Sequence, residues 1–279
     1  MNETVSGAPV AAQFAAFRAA HPIRSIAVAG KSWRYVVGGA GPVIVVLPGG
    51  GGDADSMFPV VAALEENFRV VAAGYSESAV TADDLVEGVR AVMNVCGVER
   101  ACLLGHSLGG MVARAFAEKY PARVASLAIA NSAIYTPARV RLLTIALALA
   151  ACLPRPIVAA LIRFEFKRLL QSRADADFWL RYVEQSGMMR PGSRGLRNQA
   201  RCMLDFMRRG AASTASWRGP TLILESDRET GFTPRERAAM RALYPRATEH
   251  LFQNAGHLSF ITHTDEFARS VANWLNATP

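Results

Sequence analysis

Charge is scarce in this chain: Asp, Glu, Lys and Arg make up 19% of 279 residues, below the rough quarter of an average globular domain. Biased tracts are missing too, and with 51% hydrophobic residues the composition excludes disorder and collagen-like structure. Cysteine is sparse. Cys96, Cys102, Cys152 and Cys202 show no CxxC or CxxH spacing, which argues against a metal site or a disulfide framework and for small buried hydrophobes in a reducing cytoplasm. No cofactor is implied, and the expected location is cytoplasmic. The longest strongly apolar stretch, Leu142 to Leu153, stops at Pro154, Arg155 and Pro156, well short of the roughly 20 residues of a membrane span. The first residues lack a basic region ahead of a continuous apolar one, so Val10 to Ala20 reads as an amphipathic helix rather than a secretory signal. No repeat, zinc finger or RNA-binding aromatic motif is present, and nucleic acid is not an expected partner.

What is present is an alternation. Ser25 to Ala29 and Ser32 to Val37, joined at Gly30 and Lys31, form an expected hairpin. Val43 to Leu47, Phe68 to Ala73, Ala101 to Leu104, Val124 to Ala130 and Thr221 to Leu224 are short, nearly continuous apolar runs, the pattern of strands buried on both faces of a parallel sheet. Helical stretches separate most of them, at about Ser56 to Glu66, Thr81 to Val95, Ser107 to Tyr120, Pro234 to Leu243 and Asp265 to Leu275. The expected class is α/β, with helices on both faces of a mostly parallel sheet. From Tyr135 to Ser216 the alternation stops, and helical periodicity runs between prolines at 137, 154, 156 and 191. A plain loop of that length is excluded. We therefore expect a core of residues 1–134 and 217–279 and a helical cap, or lid, of residues 135–216 at the carboxyl edge of the sheet. Of the net charge of +8, the stretch from Tyr135 to Arg218 carries 15 Lys or Arg against 5 Asp or Glu. Such a surface favours acidic partners.

Gly105, His106, Ser107, Leu108 and Gly109 spell G-x-S-x-G between a strand and a helix. A serine forced into that turn needs small neighbours two residues away on each side, because a Cβ there would meet the crossing backbone. Its hydroxyl then stands at a helix N-terminus, where developing negative charge is favoured. Serine needs a base, and His257, on the loop after the Glu249 to Phe252 run, is the best placed of five histidines. A carboxylate must in turn orient the base. No Asp or Glu lies between Glu118 and Glu165, which excludes an acid after the Val124 to Ala130 strand, and the acids of the helical insertion are badly placed for the sheet edge, so Glu225, Asp227 and Glu229 remain. The glycines that follow Pro48 can turn their amides inward, so this run and the amide of Leu108 are the expected oxyanion hole. A phosphate loop is excluded, since GxxxxGK[ST] is absent.

Together LPGGGGD at 47–53, GHSLGG at 105–110, the helical insertion, PTLILESDRE at 220–229 and NAGH at 254–257 resemble the α/β-hydrolase superfamily, from about Ser25 to Leu275. The resemblance implies an eight-stranded twisted sheet, a Ser107, His257 and acid triad, and an oxyanion hole made by the amides of Gly50 and Leu108. In this family the acid commonly sits nine residues after such a proline, which selects Glu229; Asp227 stays the alternative. Two positions depart from the family pattern: Pro48-Gly49 replaces the usual His-Gly, and the acid is Glu rather than Asp. The implied function is a serine hydrolase acting on an ester, thioester or related small acyl substrate with an apolar portion, through an acyl enzyme. The alternatives are an acyltransferase whose anionic thioester donor or acidic carrier protein docks at the basic cap, and a non-catalytic binding protein on the same scaffold. Carbon–carbon bond cleavage would use the same residues.

Overall fold

A computed structural model describes residues 8–170, 173–186, 194–210 and 217–278. Eight strands form where the short apolar runs and the N-terminal hairpin fall: β1 (Arg24–Val28), β2 (Lys31–Gly38), β3 (Val43–Leu47), β4 (Arg69–Ala73), β5 (Ala101–His106), β6 (Val124–Ala130), β7 (Thr221–Ser226) and β8 (Thr248–Phe252). They make one sheet in the order β1-β2-β4-β3-β5-β6-β7-β8. Both pairings of β2 are antiparallel and every other pairing is parallel, so β2 alone runs against the rest. The hairpin turn differs from expectation by one residue. Val28 pairs with Lys31, and the two turn residues are Ala29 and Gly30, with φ of 48° and 73°. A two-residue hairpin turn needs positive φ at both central positions, and Lys31 instead extends β2 and reaches Asp84 at 2.9 Å.

Alternation within each buried strand sends successive side chains to opposite faces. Val45, Leu47, Leu103, Leu127, Ile129 and Ile223 enter one core. Ile44, Val46, Leu104, Ala128, Leu222 and Leu224 enter the other. This is why the strands read as unbroken apolar runs. The first face is covered by α3 (Ala82–Val95) and α4 (Leu108–Lys119), the second by α1 (Val10–Ala20), α2 (Phe58–Leu64) and α11 (Thr264–Ala277). Helix α3 starts at a capping box in which Thr81 and Asp84 each satisfy the other's backbone amide.

Between the adjacent parallel strands β6 and β7 the chain passes through α5 (Pro137–Ala151), α6 (Arg155–Leu169), α7 (Ala176–Gln185) and α8 (Gly195–Gly210). Pro137 and Pro156 occupy the first turns of α5 and α6, where a missing amide costs nothing; these prolines start helices rather than interrupt them. Pro191 lies outside the described residues. Helix α7 stacks Trp179 on Phe58 with centroids 5.6 Å apart, and α8 buries Cys202, Phe206 and Met207 in the core shared with α3 and α4. After β7 come α9 (Pro234–Leu243) and the short α10 (Ser259–Thr262). Among the described residues no helix is long and apolar enough to cross a membrane.

Candidate active site

Strand β3 is flanked by β4 on one side and β5 on the other, so the chain reverses its winding between β3 and β5, and their carboxyl ends are the switch point at which open α/β sheets bind ligands. Ser107 stands there between β5 and α4 with φ 53° and ψ −113°, a strained conformation for any residue with a Cβ. Its neighbours explain how the turn is held. A Cβ on Gly105 would lie 2.2 Å from the Gly109 carbonyl oxygen, and one on Gly109 would lie 2.0 Å from the Leu47 carbonyl oxygen. Both sites exclude a side chain because backbone crosses backbone. The Ser107 amide donates to the Ala130 carbonyl at 2.9 Å, tying the turn to the end of β6.

His257 follows β8, and its ring meets both partners. Nε2 lies 3.0 Å from Ser107 Oγ, while Nδ1 lies 3.0 and 2.9 Å from the two carboxylate oxygens of Glu229. A carboxylate only accepts, so Nδ1 carries the proton and Nε2 is bare toward the serine hydroxyl. The histidine loop is held from two sides. His106 Nε2–H donates to the His257 carbonyl at 2.8 Å; burial, then the neighbouring His257, pushes the His106 pKa down to about 3, leaving it neutral. Asp227 accepts from the amides of Asn254 and Ala255 at 3.0 and 3.1 Å. Asp227 thus holds the loop backbone, and Glu229 is the carboxylate that meets the ring.

Glu229 is almost wholly buried, with 1% of its side chain exposed. Burial alone would raise its pKa, but the hydrogen bond and charge of His257, then Asn131 and Gly231, outweigh it and hold the carboxyl at about 2. The Gly231 amide donates to Oε1 at 2.6 Å and Asn131 Nδ2 to Oε2 at 2.9 Å. Sequence reasoning missed Asn131. It sits directly after β6 with φ 41°, donates also to Ser226 Oγ at 2.9 Å and accepts from Ser259 Oγ at 2.6 Å. Its signal was an asparagine at a strand end, a residue that tolerates positive φ.

Beyond β3, the Pro48 to Gly52 loop runs beside the elbow. Tyr75 donates to the Pro48 carbonyl at 2.9 Å, and the Gly51 amide donates to Gln199 Oε1 of α8 at 2.9 Å. Gln199 was also missed, since nothing in the α8 sequence marks which polar residue reaches the loop. Among the described residues the Gly50 amide has no hydrogen-bond acceptor, and the Leu108 amide opens α4, where no intrahelical acceptor exists. A cavity of about 580 Å³ between α1 and α7, with Arg18, Asp55, Arg181 and Tyr182 in its wall, contains none of these groups. No cluster among the described residues could hold a metal ion.

Residues 44–270 match the model of the alpha/beta hydrolase family. The chain belongs to that family. An uncharacterized protein of Mycobacterium tuberculosis is 31% identical over 127 residues, covering 40% of this chain and 37% of that protein. The chain thus spans little more than a third of the length of that curated relative. Among solved structures this alpha/beta hydrolase is similar to a hydrolase of Pseudomonas aeruginosa, with a TM-score of 0.77 and 22% identity over 91% of this chain and 98% of the other. It is also similar to the enol-lactonase of Burkholderia xenovorans, with a TM-score of 0.73 and 21% identity over 91% and 100% of the two chains. At such identities the likeness is one of fold.

Proposed function

We propose that this alpha/beta hydrolase cleaves an ester, thioester or related acyl compound through Ser107, His257 and Glu229, by way of a serine-linked acyl enzyme. One observation carries the reading: Ser107 Oγ, the His257 ring and Glu229 form a continuous chain with links of 3.0 and 2.9 Å. Ser107 Oγ attacks the carbonyl carbon as its proton passes to His257 Nε2. The carbonyl electron pair moves to oxygen, where the amides of Gly50 and Leu108 bind it. Collapse expels the leaving group, which takes the proton from Nε2. Water then repeats the sequence on the acyl enzyme, releasing the acid and restoring the Ser107 hydroxyl. Glu229 keeps Nδ1 protonated and stabilises the imidazolium in both halves.

A lactone, the internal ester in the name of the Burkholderia enzyme, falls within the proposed class. In this reading residues 135–216 are the cap over a core of residues 1–134 and 217–279, supported by the reach of Gln199 to the glycine loop. The charge surplus of the 135–218 stretch favours a second reading, in which an alcohol or amine replaces water as acceptor from an anionic thioester donor.

The test is labelling with a fluorophosphonate, with the site located by mass spectrometry. The expected adduct is on Ser107 and is absent in Ser107→Ala, whose turnover falls by about 10⁶. Labelling elsewhere, or none, would remove the mechanism. Release of free acid from a thioester at an undiminished rate when alcohols and amines are supplied separates hydrolysis from transfer.

A further inference from the structure

Helices α5 and α6 present apolar side chains that no described element covers. Among the described residues, six of the ten exposed large apolar residues lie on them: Leu142, Ile145 and Leu149 along α5, and Ile157, Leu161 and Phe164 along α6, each 47–69% exposed. Their spacings of three and four residues put them on one stripe of each helix. The charge of the two helices is mostly positive. From Pro137 to Leu169 there are six cations, Arg139, Arg141, Arg155, Arg163, Lys167 and Arg168, against the single acid Glu165. Even with Arg168 paired to Glu165 and Arg163 to Glu184 of α7, the pair of helices stays positive.

From this combination we infer that α5 and α6 dock the enzyme on the surface of an anionic lipid bilayer. A bilayer offers an apolar phase and a negative headgroup layer in one object, which match the exposed apolar stripe and the positive charge of each helix. A second copy of the chain fits less well, because a two-fold contact would bring two positive faces together. Each helix has 15 residues, about 22 Å in length against a hydrocarbon core of about 30 Å, so the helices lie in the interface and do not span it. The inference is independent of the acyl chemistry.

The full chain is mixed with sedimentable vesicles of phosphatidylcholine alone or of equimolar phosphatidylcholine and phosphatidylglycerol, at low and high salt. The expected result is partition onto the anionic vesicles at least about tenfold stronger than onto the neutral ones, and weakened by salt. Ile157→Glu with Phe164→Glu, both on exposed positions, is expected to lose at least about tenfold of that partition with an unchanged thermal melt. Arg141→Glu with Lys167→Glu is expected to remove the preference for anionic vesicles. Absence of vesicle binding, binding indifferent to lipid charge, or binding that survives the Ile157→Glu and Phe164→Glu changes would overturn the inference. So would a dimer in lipid-free solution that those two changes dissociate, because the face would then belong to a second copy.

Discussion

Replacing Glu229 by Gln keeps the shape of the buried acid and removes its charge. The native carboxylate accepts from three donors: His257 Nδ1–H across both oxygens at 3.0 and 2.9 Å, the Gly231 amide at 2.6 Å, and Asn131 Nδ2 at 2.9 Å. A Gln side chain brings an NH₂ to one of those two oxygen positions and so faces a donor with a donor. If the NH₂ turns to the ring instead, Nδ1 must lose its proton, Nε2 gains one, and the base toward Ser107 is gone. Loss of the imidazolium's counter-charge and of its correct tautomer together are expected to cost about 10³–10⁴ in kcat, or about 4–5.5 kcal/mol of transition-state stabilisation. Asp227→Asn is the control. It lies on the loop surface, its carboxylate accepts from the Asn254 and Ala255 amides, and turnover is expected to change by less than about tenfold. Steady-state kinetics on an activated ester measure both variants. Because Glu229 is held at about 2, below its ordinary value, its contribution to stability is full above about pH 4.5 and is lost as pH falls through about 2. The difference in unfolding free energy between wild type and Glu229→Gln is therefore expected to shrink on acidification. A Glu229→Gln enzyme within tenfold of wild type, with Asp227→Asn disabled, would refute the assignment.

Gly109→Ala puts a Cβ 2.0 Å from the Leu47 carbonyl oxygen, so β3 and α4 must separate; we expect about 3 kcal/mol of destabilisation, read as a lowered Tm, together with lost turnover. Asn131→Asp keeps a residue that tolerates the φ of 41° but sets a second carboxylate beside Glu229 Oε2, where Nδ2 now stands at 2.9 Å. One of the two pKa values must rise, so the stability cost of the substitution is expected to be smallest at low pH and to grow as pH rises from the ordinary carboxylate range through the raised value. Denaturant unfolding across pH measures this. Gln199→Ala releases the Gly51 amide that it accepts from at 2.9 Å, and kcat/KM is expected to fall about fivefold, the loss of one hydrogen bond of about 1 kcal/mol, with little change in Tm.

The strands were legible because burial on both faces writes a continuous apolar run, and each run found its place in the sheet within a residue or two. Helix starts were legible where a cap is local, as at Thr81 and at Thr233 with its partner Glu236. Less legible was whatever depends on distant chain segments meeting. Asn131, Gln199 and Tyr75 touch the site through partners 98, 148 and 27 positions away, and no periodicity encodes such meetings. The same limit applies to Glu229 and Asp227. Both follow one strand by a few residues, and only the path of the loop decides that one carboxylate turns to a ring and the other to two backbone amides. The hairpin turn was misread by one residue for a different reason. Ala29 takes a positive φ without being Gly or Asn, so composition pointed to Gly30 and Lys31.

The strain at Ser107 and the network behind Glu229 are parts of one arrangement. Ala130 accepts the Ser107 amide, and the next residue, Asn131, donates to Glu229. The end of β6 therefore fixes the serine turn and the acid through consecutive residues. His257 is tied at its carbonyl to His106, the residue just before the serine, so the third group is referenced to the same turn. A shift of β6 relative to β5 would disturb the serine turn and the acid together, whereas a shift of α7 would move none of these hydrogen bonds. Substitutions that loosen the β5–β6 register, such as Ile129→Ala, a core residue that pairs with Gly105 across the two strands, are accordingly expected to lower kcat more than KM. Truncations of equal size on α7, such as Leu180→Ala, are expected to lower stability by a similar 2–5 kcal/mol while sparing kcat at temperatures where the chain stays folded. Equal losses of kcat in the two variants would mean that the site takes its geometry from the molecule as a whole rather than from the end of one strand.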